Sequence, residues 1–272
     1  MKTELSIWSA YYIDLSPEEA VLEMKKQGLT ASELSDEHGE ALLHRGDPAQ
    51  VGAQFKEFLK EQSFTMPQGH LWLKCKICST EEAIDQLLPW LDLYDAIGVK
   101  NAVLHLDGIA SEPELTMEER YARNLAKLKV AEAHIKDRGL KIRICLENLG
   151  GIAQTAEELC EVVDQLDPDH FGICLDTGHL NLTNKDQRRF ILAAGKRLHA
   201  LHIADNEGER DQHMMPFGKG NVDFGEVVQA LREIDYEGLF NLEIPGERLA
   251  PLEVRGYKIE YIQKCYEYLM NH

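Results

Sequence analysis

Acidic and imidazole side chains recur where short apolar runs of this 272-residue sequence end. The apolar residues 171–175 lead into Asp176, and His179 follows three residues later. Such a run is typical of a strand buried on both faces of a parallel sheet. A carboxylate at the end of a buried strand is costly unless something pairs with it. The same pattern recurs at His70, His105, Glu147, His202 and Glu243. We expect these strand ends to converge on one metal site.

Four of these residues form the predicted centre of that site: Glu147, Asp176, His202 and Glu243. Their separations are 29, 26 and 41 residues, about one strand–helix unit each. Carboxylate oxygen and imidazole nitrogen suit a divalent cation such as Mn, Zn, Co or Mg. Each residue alone has an ordinary explanation, because strand-end glutamates cap helices or pair with cations and histidines pack in cores. Four of them at successive strand ends favour a divalent-metal site instead.

The segments that must position these residues alternate between strands and helices. Strands are predicted at residues 5–9, 29–34, within 64–73, 102–106, 142–147, 171–176, 198–204 and 240–244. Helices lie between them, and polar residues connect residue 35 to Asp47. Eight such units predict an α/β fold, a single-domain (β/α)8 barrel over residues 1–272, with its active site at the carboxyl ends of the strands. A doubly wound sheet is the alternative, but no Gly-rich nucleotide fingerprint follows the first strand.

Composition narrows the range of partners and compartments. The net charge of −18, from 47 acidic and 29 basic residues, argues against electrostatic capture of nucleic acid or an anionic membrane. Six cysteines are too few for a secreted disulfide scaffold. Buried free thiols are expected at Cys145 and Cys174, while the Cys75-x-x-Cys78 pair also allows a redox or zinc role. The N-terminal residues do not resemble a signal peptide and no apolar run approaches a membrane span, so we expect a cytoplasmic protein.

Five motifs together carry a resemblance to a known family. They are Leu146-Glu147-Asn148, Leu175-Asp176-Thr177-Gly178-His179, Leu201-His202-Ile203-Ala204-Asp205-Asn206, Gly218-x-Gly220-x-x-Asp223-Phe224 and Leu242-Glu243. With them the chain resembles the xylose isomerase-like TIM barrels over essentially its whole length. This superfamily includes sugar phosphate isomerases and epimerases, the ketose 3-epimerases and, more distantly, endonuclease IV. Its motifs identify the superfamily well but do not name a substrate.

The ketose 3-epimerase branch implies a divalent-metal-dependent sugar or sugar phosphate isomerase or epimerase. In that branch one metal is bound at the positions of Glu147, Asp176, His202 and Glu243. Glu147 and Glu243 would also transfer protons on opposite faces of the sugar, through a metal-stabilised cis-enediolate. The substrate contacts expected from the family and the rim are His179, Arg210, His105 and His70. The resemblance also implies contacts between copies of the chain, through the late helices and loop 109–116.

Endonuclease IV implies a different reaction, phosphodiester cleavage at abasic DNA with three zinc ions. Its nine ligands match, in order and type, His70, His105, Glu147, Asp176, His179, His202, Asp211, His213 and Glu243. A one-metal epimerase does not need the Asp211-Gln212-His213 segment, although a solvated loop explains that segment equally well. Between Asp205 and Gly220 there are four acidic residues and only Arg210 and Lys219, which would repel a DNA backbone. The sequence therefore favours the sugar enzyme, with the nuclease as the alternative, and leaves the sugar, its phosphorylation and the number of metal ions open.

Overall fold

Eight parallel strands alternate with helices in the computed structural model, which describes residues 1–272. The strands are Lys2–Ile7 (β1), Ala31–Leu34 (β2), Thr65–His70 (β3), Asn101–His105 (β4), Arg143–Glu147 (β5), Phe171–Asp176 (β6), Leu198–His202 (β7) and Glu237–Leu242 (β8). All eight lie at or near their predicted positions. The largest differences are in β1 and β8, which begin at Lys2 and Glu237 rather than at Leu5 and Phe240.

The strands close into a barrel in chain order. Strands β2 to β7 pair in sequence within one sheet, and β1 pairs with β8 in a second. Single parallel bridges join the two, from Trp8 to Glu33 and from Ile203 to Leu242. A closed parallel barrel has no free sheet edge, and its strand ends meet at one rim. The predicted (β/α)8 architecture is confirmed.

Ten α-helices surround the barrel. They are Pro17–Lys26 (α1), Asp36–Leu43 (α2), Pro48–Glu61 (α3), Ala83–Ile97 (α4), Met117–Arg138 (α5), Ala156–Val163 (α6), Thr177–Asn181 (α7), Gln187–Ala194 (α8), Phe224–Glu233 (α9) and Leu252–Asn271 (α10). None of these helices combines the length and the apolar character that a membrane span needs.

Local sequence accounts for where most helices begin. Thr116 accepts a hydrogen bond from the Glu119 backbone, and the Glu119 carboxylate accepts from the Thr116 backbone, so the predicted capping box forms at α5. Helix α2 was not predicted, because its segment reads as a polar connection. Ser35 nevertheless caps it by accepting from His38 N, and Leu42 packs in the core. Tertiary packing therefore stabilises a short helix that its own composition does not favour.

Helices α3 and α4 approach each other closely at Gly52. A methyl group there would lie 2.6 Å from Ala96 Cβ and 2.7 Å from the Leu93 carbonyl oxygen. Both neighbours belong to a rigid helix and have no rotamer with which to move away. Gly256 in α10 differs, because its added methyl would meet only the amide end of Gln27, at 2.8 Å.

We predict that Gly52→Ala destabilises the protein, although alanine normally stabilises a helix interior by about 1 kcal/mol relative to glycine. Overpacking between two rigid helices costs roughly 1–3 kcal/mol and outweighs that gain. Urea unfolding checks the change. Gly256→Ala is the matched control, since the flexible Gln27 side chain can move aside. A Gly52→Ala protein as stable as the Gly256→Ala protein would contradict the close packing of α3 and α4.

Candidate metal centre

The carboxyl ends of five consecutive strands each supply one polar side chain to the barrel rim. His70, His105, Glu147, Asp176 and His202 are the last residues of β3 to β7. Glu243 directly follows β8. The strand register places His105 beside Glu147 and Asp176 beside His202. Parallel pairing therefore brings together residues that are far apart in the sequence.

The four residues predicted to form the centre do converge. Glu147, Asp176, His202 and Glu243 each place one ligand atom so that all four atoms lie within 4.8 Å of one another. We name these residues the central group. Their side chains are between 0% and 9% exposed, so water screens them little. The convergence agrees with the prediction; that the group binds metal stays a proposal.

Three buried atoms of the central group have no hydrogen-bond partner: Glu147 Oε1, Asp176 Oδ2 and His202 Nδ1. Glu147 Oε1 lies 3.0 Å from His179 Nδ1, but that ring nitrogen hydrogen-bonds to the Asn148 carbonyl oxygen. His202 Nδ1 lies 3.2 Å from an oxygen of Glu147 and 3.2 Å from an oxygen of Glu243. Acceptor atoms this close repel one another unless a cation or a proton lies between them. The donor set of oxygen and nitrogen atoms fits a divalent cation.

A second ligand group shares Glu147. His70, His105 and Glu147 offer atoms within 4.8 Å of one another. His105 Nε2 lies 3.1 Å and His70 Nε2 3.6 Å from Glu147 Oε2. His70 Nδ1 hydrogen-bonds to the Leu71 carbonyl oxygen at 2.6 Å, which leaves Nε2 as the atom that faces the group. We name this set the inner histidine group.

A third ligand group joins His179 of α7 to Asp211 and His213 in the loop after β7. Asp211 Oδ2 lies 3.4 Å from His179 Nε2 and 3.0 Å from His213 Nε2. The other ring nitrogens are held by backbone carbonyls, His179 Nδ1 by Asn148 at 3.0 Å and His213 Nδ1 by Glu243 at 2.8 Å. His213 adopts a φ of 44°, a conformation that non-glycine residues adopt mainly where the surroundings impose it. We name this set the loop group.

The loop that carries the third group is anchored beneath it. Met214 and Asp205 form an antiparallel backbone bridge. The Asp205 carboxylate accepts hydrogen bonds from the backbone of Asn206 and Val222. A methyl group at Gly220 would overlap that carboxylate, which explains why the Gly218-x-Gly220 motif needs glycine at its second position. The motif therefore shapes the loop rather than contacting the ligand atoms.

Burial and charge together set the protonation of the site. Burial raises the pKa of Asp176 to about 6, although the positive charge of His179 acts to lower it. Burial also opposes ionisation of Glu147, but the positive charges of His202 and His105 outweigh it and hold the pKa of Glu147 well below its usual range. Burial by itself lowers the pKa of His70, yet the contact with Glu147 and its charge outweigh burial and raise that pKa to about 9. Near neutral pH the carboxylates are ionised and His70 is protonated.

The structure places one predicted residue away from the three groups and adds one that was missed. Arg210 is exposed and makes no contact with any of the ligand atoms, so its role in substrate binding stays a prediction. Glu33 in β2 is fully buried and lies 3.0 Å from His202 Nε2. A signal for it exists in the sequence, because Glu33 stands near the end of a predicted buried strand like the other ligands. The cysteines are free thiols, and Cys145 and Cys174 are buried as predicted.

Comparison with known proteins places this chain in one family of TIM barrels. A sequence model described as "Xylose isomerase-like TIM barrel" matches residues 21–265. D-psicose 3-epimerase of Enterocloster bolteae is 30% identical over 70% of this chain and 65% of its own length, so the chain spans slightly less than two thirds of that relative. L-ribulose 3-epimerase of Methylomonas sp. is 27% identical over 72% of this chain and 70% of its own. The structure of D-psicose 3-epimerase from Clostridium cellulolyticum H10 superposes with a TM-score of 0.80 at 17% identity, covering 98% of this chain and 99% of that one, which shows the shared fold.

We predict that divalent metal binding near pH 7 releases protons and strengthens as the pH rises. Burial lowers the pKa of His202, the imidazole of the central group, but the negative charges around it, those of Glu33, Glu243 and Glu147 among them, outweigh burial and hold that pKa well above its usual value. His202 therefore carries a second ring proton at pH 7 that a metal must displace before Nδ1 can act as a ligand. Titration calorimetry in buffers with different ionisation enthalpies measures the number of protons released. No proton release, or an affinity that does not change between pH 6 and pH 9, would contradict this picture.

Proposed function

We propose, from the fact that this chain belongs to the xylose isomerase-like TIM barrel family, that it is a divalent-metal-dependent sugar or sugar phosphate isomerase or epimerase. The observation that carries the proposal is the central group, in which two buried glutamates share one ring of ligand atoms with Asp176 and His202. The ketose 3-epimerases among its relatives support the choice of substrate class.

Four residues would hold the cation: Glu147, Asp176, His202 and Glu243. Three of them present a buried atom that nothing else in the protein satisfies. A bound divalent cation would supply Lewis-acid stabilisation of negative charge that develops on sugar oxygens. It would also fix the position of the sugar relative to the two glutamates.

Glu147 and Glu243 are the proposed acid/base pair. Glu147 ends β5 and Glu243 follows β8, so the two side chains enter the rim from different parts of the barrel wall. One would remove the proton from the carbon next to the carbonyl, and the other would return a proton. Two side chains that enter from separate strands can address opposite faces of a sugar.

The histidines of the other two groups would bind the sugar in this reaction. Backbone carbonyls hold His70, His179 and His213 through Nδ1, so that each ring presents Nε2 to the rim. A protonated Nε2 donates a hydrogen bond, and sugar hydroxyl groups accept it. His179 is the most favourably placed of them, because it belongs to the loop group and also lies 3.0 Å from Glu147 of the central group.

We predict that Glu147→Gln and Glu243→Gln each reduce ketose turnover by about 10²–10⁴-fold, the contribution typical of a positioned acid or base. The amides keep the shape of the side chains but cannot accept the substrate proton. Turnover of a ketose panel in D2O, followed by deuterium incorporation into substrate and product, measures the effect. Glu209→Gln, on an exposed part of the rim loop, is the matched control. Activity of both variants equal to that of the control would refute the acid/base assignment.

A second candidate function, a three-metal phosphodiesterase acting at abasic DNA, is favoured by the inner histidine group and the loop group. Nine residues fall into three ligand groups, and Glu147 belongs to two of them. Groups of this composition bind zinc, and a bound zinc ion activates water for hydrolysis. Against this candidate stands the net charge of −18, which repels a DNA backbone.

Asp211→Ala distinguishes the two functions, because Asp211 touches only His179 and His213. In the proposed sugar enzyme, we predict that this variant keeps its full complement of one metal ion per chain and loses activity less than about tenfold. Elemental analysis of the purified protein and ketose turnover measure both quantities. Glu209→Ala, two residues earlier in the same loop, is the control. A loss of bound metal together with cleavage of an abasic duplex by the unmodified protein would favour the phosphodiesterase.

A further inference from the structure

A fourth carboxylate lies directly behind the central group. Glu33, in β2, is completely buried among the barrel strands. Its Oε1 lies 3.0 Å from His202 Nε2, and its Oε2 accepts a hydrogen bond from Asn241 Nδ2. Glu33 therefore has no contact with solvent and cannot itself reach a substrate.

The hydrogen bonds around Glu33 form a chain. Because the carboxylate at one end can only accept, it determines which group donates in each following bond. A carboxylate only accepts, so Asn241 must turn its amide nitrogen towards Glu33. The Asn241 carbonyl oxygen then faces Ser6, whose hydroxyl donates to it at 2.8 Å. Ser6 and Asn241 are direct neighbours in the pairing of β1 with β8. Three strands of the wall thus hold the Glu33 carboxylate in one orientation.

His202 is held differently from the three histidines of the site that a backbone carbonyl orients. His70, His179 and His213 are each held at Nδ1 by a neutral backbone carbonyl and present Nε2. His202 is held at Nε2 by a carboxylate and presents Nδ1, which has no hydrogen-bond partner. Compared with those three histidines, His202 uses its two ring nitrogens the other way round, and its acceptor is charged rather than neutral.

We propose that Glu33 is the positioning residue of the metal centre: it keeps the proton of His202 on Nε2, so that the Nδ1 lone pair faces the cation, and it makes that nitrogen a stronger ligand. This inference rests on the proposed metal site and deepens it. A carboxylate that accepts the ring proton orients the imidazole and raises its basicity as a ligand. The fully buried charge is otherwise costly, and a purely structural role in the wall could be filled by a neutral side chain.

Two substitutions separate charge from shape. In Glu33→Gln, the amide oxygen can accept from His202 Nε2 while Asn241 turns over and donates to the Ser6 hydroxyl, so the ring stays held but the charge is lost. Glu33→Leu removes both the charge and the acceptor. Gln68→Met is the matched control, because Gln68 is a buried polar residue of neighbouring β3 that hydrogen-bonds only to the Leu201 carbonyl oxygen.

The first measurement is the affinity for Zn²⁺ alone, by competition with a chelator. We expect Glu33→Gln to weaken binding by about 10–100-fold, Glu33→Leu to weaken it at least as much, and Gln68→Met to change it less than about twofold. The second is the tautomer of His202 in the zinc-loaded unmodified protein, from ¹⁵N spectra assigned with His202→Gln. We expect a proton on Nε2 and zinc on Nδ1.

Two results would overturn the proposal. One is Zn²⁺ affinity within twofold of the unmodified protein in Glu33→Gln, with the unmodified protein binding zinc. The other is a His202 proton on Nδ1. If Glu33→Leu does not fold, the glutamine variant and the tautomer still decide. An unmodified protein that binds no zinc would instead reject the metal centre of the proposed function and, with it, this role of Glu33.

Discussion

The structure of the rim depends on one buried carboxylate, Glu147. It is 1% exposed, and removing an ion of this kind from water costs several kcal/mol unless partners compensate. Its Oε2 lies within 3.6 Å of nitrogen atoms of His70, His105 and His202, and its Oε1 within 3.0 Å of His179. No backbone group donates to these oxygens. Glu147 therefore requires positive charge around it, and the histidines on the neighbouring strands and on α7 are arranged to provide that charge as protons or to share a cation with it.

The barrel satisfies this requirement through register rather than through flexible side chains. Each parallel strand adds one rim position, and paired residues such as His105 and Glu147 lie side by side by geometry alone. The imidazoles are then fixed by their second nitrogen, mostly to backbone carbonyls that the strand ends and loops already expose. His105 has no such bond, and His202 is fixed by Glu33 instead. Rigid support of this kind holds ligand atoms within the few tenths of an ångström that metal coordination needs.

The parts of this arrangement that follow from local pattern were predictable, and those that follow from three-dimensional packing were not. A polar residue after an apolar strand is visible in sequence, so His70, Asp176 and Glu243 were all identified as rim residues. Glu33 was missed although its strand was predicted: its position near a strand end is visible in the sequence, but its contact with His202 depends on how the strands close into a barrel. Helix α2 was missed because its stability comes from the core behind it. Arg210 was assigned to substrate binding from the family pattern across a loop, and the spacing of the strands does not determine where a loop residue lies.

The balance of charge at the rim links protonation to metal content. Five carboxylates lie within contact of five imidazoles: Glu33, Glu147, Asp176, Asp211 and Glu243 against His70, His105, His179, His202 and His213. When every carboxylate is ionised and every imidazole protonated, the two sets cancel. A single cation in the proposed central site would displace a proton only from His202 and would leave the protons of His70, His179 and His213, whose pKa values are raised, in place. Three cations need all five imidazoles neutral and bring six positive charges against five negative ones. The raised pKa values of His70 and His213 oppose that second state at neutral pH. The same electrostatics that stabilise the buried carboxylates therefore favour the proposed single ion in the central group over three ions.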